Sequence, residues 1–232
     1  MSRRPASGPR VPARVPARLG EVPFAEWLVP HDGTWGPDAD HDTVHFDGFR
    51  VKGADAAGSR FLDCAFTGTA VEGGGLRRAR FIGVWASELS LVATDLSGGE
   101  WRDSALLGSV LAAAPLTGAR LTRVTFRGCK LDGINLRGCV LTDVAFEDCL
   151  LREADFGGAT LTRVRFPGSR LASTTLAGAT LDEADLRGAA LGITIEPASL
   201  RGAIVSPDQL QDLAPLLAEA LGITVEAGGP PG

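Results

Sequence analysis

Tyrosine is absent from this chain of 232 residues, methionine occurs once, histidine three times and cysteine four times. No stretch approaches the ~20 consecutive apolar residues that a membrane-crossing helix needs, so a helical span is excluded. The twin arginine of "MSRRPASGPRVPARVPARLG" has no continuous apolar segment after it, so no secretory leader is expected and a cytoplasmic location is. There is no Ser-His-Asp order, nucleophile elbow, phosphate-binding loop or dinucleotide fingerprint. His31, His41 and His45 all fall before the regular part of the chain, leaving only scattered carboxylates for acid–base work. Neither an enzyme nor a bound cofactor is expected.

What the chain has in excess is glycine, 30 residues, and a period of five. Every fifth residue from Phe46 to Leu191 is apolar, and 25 of these 30 positions are Leu or Phe. A second series lies two residues earlier and holds small or β-branched side chains, such as Ala119, Val124, Ile134 and Ala154. Cys64, Cys129, Cys139 and Cys149 all belong to it. A helix repeats at 3.6 residues and a strand at 2, so neither keeps a strict five on one face. A coil that turns a corner every five residues does.

The pentapeptides "ADFGG" (154–158), "ATLTR" (159–163), "ATLDE" (179–183) and "ADLRG" (184–188) follow A(D/N)LXX, and the chain resembles the pentapeptide-repeat family from about residue 44 to 191. The resemblance implies an all-β solenoid, a right-handed quadrilateral β-helix with four pentapeptides per coil and a short C-terminal helical cap. Some seven coils stacked at about 4.8 Å would form a rod of roughly 35 Å. On that geometry Phe46, Phe66, Phe126, Phe146 and Phe166 stack along one wall. Cys129 and Cys149 lie one coil apart on one face while Cys139 points in from the opposite one, so the three cannot share a zinc ion. The parallel side chains of Cys129 and Cys149 also oppose a disulfide, and the cysteines are expected to be buried small residues.

The flanks are different. Residues 1–20 carry Arg3, Arg4, Arg10, Arg14 and Arg18 without an acid, and are expected to be a disordered arm, the one part suited to contact nucleic acid. Residues 21–43 form an N-terminal cap, with Phe24, Trp27 and Trp35 expected over the first coil. Asp38, Asp40 and Asp42 mimic the start of a calcium loop, but Thr43 and Phe49 break the pattern and no metal is expected. After the solenoid, 44–205, residues 206–226 make a C-terminal helix and dimer or cap segment: Ser206 as N-cap, Pro207 at N1, Gln209 as capping-box partner and Gly222 just past the helix end. Leu210, Leu213, Leu217 and Leu221 make its apolar stripe, and Pro215 is expected to kink or split it. The stripe can close the last coil or pair with a second copy; the resemblance implies a homodimer. Residues 227–232 are expected to be a disordered tail.

Function is then left to the outward positions, three per pentapeptide. Residues 43–191 hold seventeen acids and seventeen bases, so no uniform charge selects a partner. The resemblance implies DNA gyrase, since the best-described relatives protect it from its inhibitors by mimicking DNA. That reading places the contact at Asp143, Glu147, Asp148, Glu153 and Asp155, or at Asp182, Glu183 and Asp185. The alternative is a scaffold that binds a protein through an uncharged wall of Val92, Leu107, Val110, Ala112 and Ala113.

Overall fold

A computed structural model describes residues 15–33, 35–194 and 197–225. Most of the expected arm and the 227–232 tail lie outside the described residues. Parallel strands of mostly three residues stack in a register of twenty, as in Trp101↔Leu121, Phe126↔Phe146 and Leu131↔Leu151. The first face runs from Asp40–Asp42 to Thr180–Asp182 and the third from Arg50–Lys52 to Ala190–Thr194, each with eight rungs among the described residues. That is one more than the seven expected. On the first face the additional rung is Asp40–Asp42, where the imidazole of His41 takes the core position and stacks on Phe61 at 5.0 Å.

Three local interactions explain why these residues coil. The residue two after each core position turns the corner with a positive φ: Gly at 108, 118, 128 and 138, but also Asp103, Ala113, Arg123 and Asp143 at 48–56°. Much of the glycine excess is thereby placed, because only glycine takes this region without a Cβ penalty. On the fourth face, Asp55, Asp95, Asn135 and Asp155 each accept the amide of the residue two further on, at 2.8–3.1 Å. This turn is the role of D/N in the repeat. The small position, finally, donates back to the preceding coil: Thr69 Oγ1 to the Phe46 carbonyl at 2.7 Å, Ser169 Oγ to that of Phe146 at 2.8 Å.

The cysteines use the same bond. Cys139 Sγ donates to the Leu116 carbonyl at 3.0 Å and Cys129 Sγ to that of Leu106 at 3.3 Å. All four are buried and free. Burial pushes the Cys64 thiol up to about 12 and the Cys139 thiol to about 11. Cys149 is also raised, by the adjoining Cys129 thiol and by burial. In the centre, Phe126, Phe146 and Phe166 stack at 5.0 and 5.1 Å, and Phe46 lies on Phe66 at 4.5 Å.

The N-terminal end differs from expectation. Trp35 does cover the first coil, together with His31, their rings lying against His41 at 6.3 Å and Phe46 at 4.3 Å respectively, but Phe24 and Trp27 do not. Val29–Pro30 adds a rung beside Val44–His45, and the chain before it folds back along the outside of the second face. Val22 there packs on Ala65, Trp85 and Ala105, and the Trp85 indole N–H donates to the Pro16 carbonyl at 3.0 Å. Residues 15–20 thus pack on the solenoid, although the disordered arm was expected to run to residue 20. The C-terminal end is closed by one helix, Pro207–Ala220, that runs through Pro215 without splitting. Ser206 and Gln209 form the capping box, and the Gln209 amide also donates to the carbonyls of Leu186 and Ala189 at 2.7 and 2.8 Å. With Leu213 buried as well, the helix is anchored from the side, which offsets the one intrahelical bond that proline removes.

Candidate interaction surfaces

Because Leu, Phe and Trp fill the rod, recognition has to use its outside. On the third face Ser90 stands beside Val110 and Val92 beside Ala112. This strip is two coils tall. Below it lies the Lys52–Glu72 ion pair, 3.2 Å, and above it Lys130 and the Asp132–Arg152 pair, 3.7 Å. Val92 and Ala113 are exposed, while Leu107, Val110 and Ala112 are half-buried. Leu107 ends the second-face strand Glu100–Leu107, so it borders the strip at the corner.

The eight carboxylates singled out in the sequence do not form one acidic surface. Arg163 grips Asp143 with two bonds, at 2.6 and 2.9 Å, and holds its carboxyl below the usual range. Glu147 lies between Arg127 at 2.8 Å and Arg165 at 2.9 Å. Asp155 pairs with Arg137 at 3.1 Å, and Asp185 with Arg187, which lowers the Asp185 carboxyl. Asp148, Glu153, Asp182 and Glu183 are exposed and make no ion pair with a described residue. The pairing was readable in the sequence, since Arg163 and Arg127 stand one twenty-residue coil from Asp143 and Glu147.

Not every outward position faces water. Ala65, Trp85, Ala105, Thr125 and Ala145, consecutive along the second face, are all buried. The N-terminal segment covers the first three. Sequence reasoning missed this groove, and its signal was Trp85, a large apolar side chain at an outward position. On the C-terminal helix only Leu213 and Leu217 of the expected stripe pack on the core; Leu210 and Leu221 are exposed, as is Leu216. No described helix is long and apolar enough to cross a membrane.

The family model for a pentapeptide repeat region matches residues 100–176. No curated protein matches the chain. Among solved structures, HetL, a pentapeptide repeat protein involved in heterocyst differentiation regulation in the cyanobacterium Nostoc, is 21% identical over 73% of this chain and 90% of its own, with a TM-score of 0.45. A trypsin-treated form of QnrB1, a plasmid-mediated fluoroquinolone resistance protein, is 20% identical over 86% of this chain and 99% of its own, also at 0.45. A pentapeptide repeat protein of the Arabidopsis thaliana thylakoid lumen is 17% identical over 57% and 86%, at 0.37. The family model matches the centre of the five-residue frame that runs from Phe46 to Leu191 as twenty-residue coils, so the chain contains a pentapeptide repeat region folded as a parallel β-solenoid.

Proposed function

We propose that this chain is a non-catalytic interaction protein that binds a protein partner through the uncharged strip of its third face. The observation that carries this reading is the contrast between that strip and its borders: Val92 and Ala112 stand in the column where the coils on either side carry the Lys52–Glu72 and Asp132–Arg152 ion pairs, and Ser90 and Val110 extend the uncharged surface beside them. A surface without charge at its centre and with a polar rim is the usual layout of a protein contact. The test is the double variant Val110→Asp, Ala112→Glu. It should release the partners captured by the wild-type chain and leave the circular dichroism unchanged; unaltered capture and solution mass would refute the strip.

A second reading, modulation of DNA gyrase with resistance to its inhibitors, is favoured by the four exposed carboxylates Asp148, Glu153, Asp182 and Glu183. Duplex DNA presents one charge per ~1.7 Å, so mimicry depends on these rather than on carboxylates already neutralised by arginine. Supercoiling by purified gyrase, with and without a fluoroquinolone and at two salt concentrations, tests it. Salt-sensitive inhibition or rescue, lost when the four become amides, supports mimicry; no effect at large molar excess removes it. Leu210, Leu216 and Leu221 are the surface through which a homodimer would form, and sedimentation of Leu210→Glu, Leu221→Glu tests that pairing.

A further inference from the structure

One corner column of the solenoid reads Asp63, Gly83, Asp103, Arg123, Asp143, Arg163, Glu183, one residue per coil. Acid and base alternate along it, except that glycine stands where the first cation belongs. Arg123 binds Asp103, with Nη2 to Oδ2 at 2.8 Å, and is raised by that bond and by the charge of Asp143. Arg163 binds Asp143 in the same way and is also raised by Glu183. Asp63 has no such partner among the described residues; its carboxyl leans over Gly83. Burial, and then the charge of Asp42, push it above the usual carboxylate range.

The missing arginine leaves space. A cavity of about 340 Å³ adjoins Asp63, Gly83 and Asp103, and its remaining walls include Trp27, Phe24 and Trp85. Trp27 is 69% exposed, an unusual position for an indole unless something covers it. Aromatic faces beside carboxylates attract an organic cation twice, through the ring quadrupole and through charge.

We propose that this cavity binds a guanidinium or ammonium group on an apolar stem, its cation lying between Asp63 and Asp103 as Arg123 lies between Asp103 and Asp143. The stem rests against Trp27, Phe24 and Trp85. The group can belong to a free small molecule or to a basic side chain of a polypeptide.

The test uses the full chain labelled with ¹⁵N and follows its indole N–H signals during titration with ethylguanidine, acetyl-Ala-Arg-Ala-amide and the neutral isostere acetyl-Ala-citrulline-Ala-amide. Saturable shifts of Trp27 and Trp85, with Trp101 inside the rod unmoved, are expected for the two cations. Tighter binding of ethylguanidine would identify a small-molecule site, and tighter binding of the peptide a side-chain site. Asp63→Asn should weaken either by tenfold or more. Gly83→Arg should abolish binding by supplying the cation from within; Arg123 and Arg163 show that arginine is accepted at this corner, with φ of 53° and 52°. The proposal is overturned if the citrulline peptide binds as well as the arginine peptide, if Asp63→Asn changes nothing, or if no cation saturates by ~10 mM, a free energy weaker than about 3 kcal/mol.

Discussion

The second-face core column runs Phe46, Phe66, Ala86, Leu106, Phe126, Phe146, Phe166, so Ala86→Phe would complete it on paper. The structure predicts the opposite of stabilisation. Within the rod Trp101 stacks on Phe81 at 3.9 Å, and the cavity that these two rings line with Phe66 and with Val84, Leu89 and Leu91, close to Ala86 in sequence, is about 10 Å³. A void of that size holds about one water, not a phenyl ring. Overpacking of this kind costs ~1–3 kcal/mol. Phe146→Ala, in the same column, loses two stacked neighbours at 5.0 and 5.1 Å and an edge contact with Phe156 at 6.2 Å, and leaves a void worth ~3–5 kcal/mol. Urea unfolding followed by circular dichroism reads both. The decisive variant is Ala86→Phe combined with Trp101→Leu, because removing the indole frees the space and also deletes a buried N–H without a hydrogen-bond partner. The pair should recover at least ~1 kcal/mol relative to the sum of the single changes. A higher midpoint for Ala86→Phe alone, or additive effects in the pair, would refute the packing argument.

Other expectations follow from the same geometry. At pH 8 the thiols, with Cys64 near 12 and Cys139 near 11, should resist iodoacetamide until the chain unfolds, whereas labelling of the native protein at the rate of free cysteine would contradict their burial. Gly118→Ala places a Cβ in open space at φ 68° and should cost about 1 kcal/mol from backbone preference alone, while Ala113→Gly, at φ 48°, should cost nothing or stabilise; thermal unfolding checks both signs. His31 and His41 are lowered chiefly by burial, so folding disfavours their protonation. The unfolded chain then binds more protons, and the N-terminal cap should lose stability as pH falls through the unfolded value near 6.5, as hydrogen exchange of the first rungs would show.

Periodicity made the solenoid legible because one core position in five is enough to define a coil. Phe126, Phe146 and Phe166 could be stacked on one another from their spacing alone. What did not repeat was harder to place. Phe24 and Trp27 read as a cap since their frame gives no direction, and the backward fold of residues 15–28 depends on a single outward tryptophan, Trp85. His41 was left out of the coils because an imidazole does not read as a core residue. Pro215 was expected to kink or split a helix that the amide of Gln209 and burial of Leu213 hold together. The candidate surfaces were legible as residue lists, and the twenty-residue coil already set Arg163 beside Asp143; a tally of acids and bases along the chain hides that pairing because the partners lie twenty residues apart.

Affinity capture with wild-type chain and with Val110→Asp, Ala112→Glu, quantified at matched protein concentration and followed by solution mass of each complex, tests recognition through the uncharged strip most directly. A stable wild-type complex that the double variant loses by tenfold or more, with the solenoid still folded, is the predicted result. An identical complex formed by both proteins would contradict it.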